Sequence, residues 1–225
     1  FTISVWANCD DAASNQTVWG VGVSTTDNDQ WRLQFRGADA GDPVRLVSRN
    51  AAGTQNDAIT TTGYTVGTWH HVCGVGASAT DRAAFIDGGS KGTNTTSNTP
   101  APTNLTRIGQ TAGSAGASFF NGRIAEVAVW DVALTDAEVL SLARGYSPLL
   151  VRTTSLIAYW PVIGRLSPEN DLIGGLNLTV TGALVAVHPR IIYPAPRYII
   201  TAPVAAAAAN PAYQPWYHRA PVLAQ

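Results

Sequence analysis

The sequence predicts an all-β protein: two antiparallel sheets packed as a sandwich, one short helix, and an extended C-terminal arm. Three observations carry this. Short runs alternating apolar and polar residues recur along the chain with Gly, Asn, Asp and Pro between them, the pattern of half-buried strands joined by turns. Charged residues make up only 13% of the 225 and hydrophobic ones 45%, so Thr, Ser, Asn and Gly carry the polar surface. Such a mixture favours strands and turns over helices. One helix signature stands out, and it comes late. Thr135-Asp136-Ala137-Glu138 reads as a capping box, followed by Val139, Leu140 and Leu142 and then Gly145, a natural stop.

Taken in order, Phe1-Thr2-Ile3-Ser4-Val5-Trp6-Ala7 alternates with period two, so Phe1, Ile3 and Val5 should face one core. Val18 to Val23 reads as a second strand, with Gly20 and Gly22 marking a bend or a close backbone approach. Trp31 to Arg36 alternates cleanly, with Trp31, Leu33 and Phe35 inward and Arg32, Gln34 and Arg36 outward. Val44 to Ser48 follows the Gly41-Asp42-Pro43 turn, and Ile59 to Thr62 forms a further strand. Gly67 to Val75 turns into a strand, and Ala83 to Ile86 ends on Asp87-Gly88, a hairpin signal. Thr93 to Thr103 is a loop, Leu105 to Gly109 a short strand, and Ala112 to Ser118 a flexible loop. Asn121-Gly122 is a turn dipeptide, because both residues tolerate positive φ; Ile124, Val127, Val129 and Trp130 then form a buried strand.

The succession FTISVWA, GTWHHVCGV, AAFIDGGSKG, LTRIGQ and FFNGRIAEVAVWDVALTDAEVLSLA resembles the laminin-G-like, pentraxin-like branch of the concanavalin A-type jelly rolls, over about Phe1 to Tyr146. The resemblance implies a jelly-roll sandwich with the helix laid against it. Ser155 to Pro161 and Leu176 to Ala183 resemble the strands that usually open such a domain. Here they come last. The preferred reading is that residues 155–183 complete the same sandwich, making 1–187 one domain; a truncated second repeat or completion of a neighbouring subunit are the alternatives.

Chemistry is sparse. Glycoside hydrolysis needs two carboxylates about 5–10 Å apart, and Glu126 and Asp131, five apart on a strand, should point to opposite faces. Both read as structural, and no catalytic residue is assigned. His70 and His71 are adjacent, so they also face opposite sides, and no third metal ligand has suitable spacing. Cys9 and Cys73 read as free buried thiols. Pentraxins pair a first-strand Cys with the one matched by Cys73, but Ser4 stands where that first Cys would be. The acids that bind pentraxin calcium are missing after Ile108-Gly109-Gln110, and the pairs Asp27 with Asp29 and Asp39 with Asp42 read as turns. No metal and no cofactor is expected. Arg32, Arg36, Arg45 and Arg49 fall on the outer faces of two consecutive strands, a stripe suited to an anionic glycan, an acidic partner or plain solvent.

The net charge of −1 excludes a basic field for nucleic acid. No apolar run of about 18 residues is present, so no membrane span is expected. The chain opens inside a strand and lacks methionine, which predicts a natural start upstream. From His188 to Gln225 seven of the 13 prolines gather with an Ala run, a composition that cannot join a sheet interior. Ile191, Ile192, Tyr193, Tyr198, Ile199, Trp216 and Tyr217 are the apolar anchors by which this arm would bind a partner. The order of motifs and the HPRIIYPAPR segment resemble virion proteins of phages and environmental viruses. That implies a non-enzymatic capsid decoration or appendage protein on the virion surface, oligomeric or particle-bound, contacting capsid or neighbouring copies through its arm. The alternative is an extracellular or surface carbohydrate-binding, lectin-like module. Cell-surface glycans are partners under either reading.

Overall fold

The computed structural model describes residues 1–163 and 167–194. Its strands in chain order are β1 (Thr2–Cys9), β2 (Asn15–Gly22), β3 (Gln30–Arg36), β4 (Pro43–Arg49), β5 (Gln55–Gly63) and β6 (Trp69–Ser78). Then follow β7 (Asp81–Ile86), β8 (Gly89–Asn94), β9 (Leu105–Ile108), β10 (Gly122–Trp130), helix α1 (Asp136–Ala143) and β11 (Leu156–Trp160). They form an antiparallel jelly roll of two sheets, one six-stranded in the order β11-β10-β1-β6-β7-β8, the other five-stranded in the order β5-β4-β3-β2-β9.

The six-stranded sheet is buried on both faces. Ile3, Val5, Val72, Ala84 and Val127 meet Leu33, Phe35 and Leu46 of the other sheet. On the far face Cys73, Phe85, Trp130 and Tyr159 meet Val139 and Leu142 of α1. The helix starts as the capping box predicts: Thr135 accepts from the Glu138 amide, and the Glu138 carboxylate accepts from the Thr135 amide. Cys9 and Cys73 are free and buried, and Ser4 is the residue registered opposite Cys73. The five-stranded sheet therefore has the only sandwich face left without a covering layer of secondary structure among the described residues.

Two strand expectations are corrected. β8 occupies Gly89–Asn94, so the loop expected from Thr93 begins inside a strand. Its residues carry no apolar pattern; it forms because Asp87 and Gly88 both take positive φ (52° and 73°), the requirement of a tight hairpin turn. β5 runs from Gln55, well before Ile59, because its polar residues pair with β4 instead of filling a core.

His71 is fully buried, with its Nε2 2.8 Å from the Ser4 hydroxyl. Burial pushes its imidazole down to about 4. An unfolded chain protonates this group near 6.5, so stability is retained above that value and lost as pH falls toward 4. The loss from this residue between pH 7 and pH 4 is expected to be about 3 kcal/mol. Urea unfolding at both pH values checks it, with a visibly flatter pH dependence in His71→Gln.

Strand β10 contains a bulge. Ala125 pairs with Trp6 but Ala128 with Ser4, leaving Glu126 as the extra residue, with φ 57°. This resets the alternation, so Ile124 and Val127, three apart, both contact the inter-sheet core. Beyond the bulge alternation holds, with Val127 and Val129 toward the inter-sheet core and Ala128 and Trp130 toward the helix. The Glu126 side chain is buried and accepts from the Tyr159 hydroxyl at 2.7 Å and the Tyr193 hydroxyl at 2.8 Å. His188 Nε2 lies 3.2 Å from the same carboxylate.

Segment 156–194 adds to the sandwich edge. β11 pairs with β10, and Asp171 accepts from the amides of Tyr159, Ile173, Gly174 and Leu176, closing a loop over the free side of β11. Further on, Ile192 donates to the Gly145 carbonyl at 2.7 Å and accepts from the Ser147 amide at 3.0 Å. The first residues of the expected arm thus dock on their own sandwich.

Candidate functional site

On the outer face of the five-stranded sheet, alternation places Gln30, Arg32, Gln34 and Arg36 of β3 beside Arg45, Val47 and Arg49 of β4. The four arginines predicted to form a stripe share this face, but they are not equivalent. Arg45 is nearly buried, donating to Gln34 Oε1 at 2.9 Å and to Asp57 Oδ2 at 2.6 Å. Arg36 is paired with Asp39. The stripe expected from sequence is consumed at these two positions, because each arginine has a carboxylate within reach. Arg32 donates to Gln55 Oε1 at 2.8 Å and Arg49 to Asn28 Oδ1 at 2.9 Å, neutral partners, so neither arginine is in a direct ion pair among the described residues. Burial, with Arg45 and Arg49 nearby, pulls the Arg32 guanidinium down to about 10.

The loop after β9 walls this face. Ala112 is fully buried, the Ser118 carbonyl accepts from the Thr17 amide, and Asp27 accepts from the Ser114 hydroxyl. Close approach to β2 is possible because Gly20 and Gly22 lack side chains; a Cβ on Gly22 would lie 2.0 Å from the Ala112 carbonyl oxygen. Gly22→Ala is therefore expected to lift the loop and destabilise the fold by about 1–3 kcal/mol, read as a lowered Tm together with faster hydrogen exchange at the Ala117 amide.

Between the loop and β3–β4 lies a groove of about 200 Å³, lined by Asp27, Gln30, Arg32, Arg49, Thr111 and Ser118 among others. Gln30 is buried and its Oε1 has no partner. A larger cleft of about 560 Å³ opens at one margin of the sandwich, lined by Phe1, Trp19, Trp31, Trp160 and Leu176, with no charged side chain. Being apolar, it offers little to read a polar ligand with. The smaller groove holds the convergent polar groups and is the candidate site.

Among the described residues, no group of three or more His, Cys, Asp or Glu is placed to hold a metal ion. His70 is bonded to Asp87 at Nδ1, and its Nε2 accepts from the Thr65 amide. Asp27 and Asp29, considered as ion ligands, hold Ser114 and the Ala101 amide respectively. Of the arm residues, Ile191, Ile192 and Tyr193 are described; Ile192 and Tyr193 hold the chain to its own sandwich and stay 47% exposed. Tyr198, Ile199, Trp216 and Tyr217 lie outside the described residues. Sequence reasoning missed Gln30 and the walling loop as site components. The glycine pair Gly20 and Gly22 was the available signal, since it marked a close approach without saying to what.

A search of curated proteins found no match. Among solved structures, the CBM40 of a Ruminococcus gnavus sialidase, bound to α2,3-sialyllactose, aligns at 18% identity over 63% of this chain and 81% of its own, with TM-score 0.53. A Bacteroides ovatus protein assigned to carbohydrate binding aligns at 19% over 85% of this chain and 54% of its own, with TM-score 0.59. A pentraxin of Limulus polyphemus aligns at 20% over 63% of this chain and 68% of its own, with TM-score 0.52. These likenesses are of fold. None of the three is a virion protein, so the resemblance to virion proteins finds no support here. Residues 1–140 match the profile of the concanavalin A-like lectin/glucanases superfamily, Laminin_G_3, and with the two-sheet jelly roll above this chain belongs to that family.

Proposed function

We propose that this chain is a non-enzymatic, lectin-like carbohydrate-binding module that takes its glycan on the outer face of the five-stranded sheet. The observation that carries this is the groove walled by residues 111–118, where Arg32, Arg49 and Gln30 converge on a face that no other layer covers among the described residues. Guanidinium groups and amides are the donors and acceptors that sugar hydroxyls and acidic substituents need. Only one carboxylate, Asp27, is among the residues lining the groove, whereas glycoside hydrolysis uses two. Two of the fold's relatives bear on carbohydrate: one is bound to sialyllactose and one is assigned to carbohydrate binding. They lend support to this reading over the virion one. A module of this kind works outside the cell or at a surface; no helix among the described residues is long and apolar enough to cross a membrane.

A glycan array with the full chain tests it. Hits are expected, and Arg32→Ala combined with Arg49→Ala is expected to weaken them by roughly tenfold or more, about 1.4 kcal/mol. An array without hits, or hits indifferent to both substitutions in a folded protein, sinks the reading.

A further inference from the structure

Resting on that reading, we infer that the groove selects a single carboxylate-bearing sugar residue, a monoanion, over neutral sugars and over polyanionic chains. Arg36 and Arg45 are neutralised by Asp39 and Asp57. Arg32 and Arg49 line the groove, and Asp27 is the one carboxylate that lines it with them. The groove therefore carries a surplus of one positive charge. Asp27 also accepts from the Ser114 hydroxyl at 3.0 Å, so it holds the loop in place and is not free to swing onto the arginines.

Unmet donors give the site an appetite for an anion. Arg32 has a neutral Gln55 as its hydrogen-bond partner, its Nε has none, and Asp57 is already held by Arg45. A carboxylate between Arg32 and Arg49 supplies the missing acceptor, and a guanidinium fork suits a carboxylate in two-point contact. Gln30 contributes next to it: 2% exposed, with Oε1 unpaired, it offers an acceptor to a sugar hydroxyl or amide N–H. Size sets the limit. At about 200 Å³ the groove is smaller than the roughly 300–1,000 Å³ sites that enclose drug-sized ligands, and it suits one pyranose ring. A chain bearing many charges would need a longer track of cations than the two that line the groove.

The test is isothermal titration of the full chain with two matched pairs: N-acetylneuraminic acid against its methyl ester, and methyl β-glucuronide against methyl β-glucoside. Each acid is expected to bind roughly tenfold or more tightly than its neutral partner. Arg32→Gln and Arg49→Gln, each verified as folded by its melting curve, are expected to abolish that difference. Arg32→Lys, which keeps the charge and loses the fork, should retain part of it. Equal affinity for acid and neutral partner overturns the inference and leaves the glycan-binding reading standing. A heparin fragment that binds far more tightly than either acid, with steep salt dependence, overturns it in favour of a polyanion. Failure of every sugar, charged or neutral, on the array as well as by titration, overturns the glycan-binding reading itself.

Discussion

Trp130→Ala is expected to cost about 3–5 kcal/mol, the range for emptying an aromatic core position. Trp130 is fully buried at the end of β10, among residues that pack against α1, and its indole N–H donates to the Val151 carbonyl at 3.0 Å. Truncation leaves a cavity between sheet and helix and removes the donor from a carbonyl in the chain leading to β11. For a chain of this size each kcal/mol moves Tm by about 2–4 °C. A fall of roughly 10 °C is therefore expected in a thermal melt. Trp130→Phe keeps ring bulk and loses the hydrogen bond, so it should fall between the two. If Trp130→Ala melts within a degree or two of the parent, the second core does not stabilise the sandwich as described.

Glu126→Ala is expected to cost about 2–3 kcal/mol, mainly because the hydroxyl of Tyr159 loses its acceptor in the interior. Tyr159 is fully buried, whereas the half-exposed Tyr193 can turn to water. Glu126→Gln keeps an acceptor oxygen and should recover much of the loss. Urea unfolding gives the magnitude. A cycle with Tyr159→Phe isolates the pair: the two substitutions together should cost clearly less than the sum of each alone. Additive costs would mean that the 2.7 Å contact contributes nothing.

The same carboxylate makes the docking of residues 188–193 depend on pH. Its hydrogen bond to His188 raises the imidazole above its ordinary range, against the opposing effect of burial. A raised value in the folded state stabilises docking fully below pH 6.5 or so and loses that contribution as pH rises through the shifted value. His71 acts with the opposite sign, since burial depresses it. Loss of stability on the acid side and loosening of the 188–193 segment on the alkaline side are thus separate events with separate residues behind them.

Much of the frame was legible in the sequence because it rests on local rules. Period-two runs located most strands, Thr135 and Glu138 located the helix start, and Asp87-Gly88 located a hairpin. Each of these signals depends on residues within one turn or one strand of one another. β8 escaped because an edge strand of Gly, Ser, Lys and Thr has no apolar face to reveal it. The bulge at Glu126 escaped because an extra residue shows itself only against the partner strand, where Ser4 and Trp6 fall out of step with β10.

Sequence by itself determined the family, the two-sheet class, the free thiols and the set of arginines that share one face. Only the tertiary structure decided which of those arginines is available. Arg36 and Arg45 meet Asp39 and Asp57, while Arg32 and Arg49 meet neutral amides beneath a loop that two glycines admit to the sheet. The physical reason is that strand parity fixes the direction of a side chain. Its charge, though, is compensated by whatever lies within a few ångströms, and Asp57 reaches Arg45 from a different strand, 12 residues away along the chain.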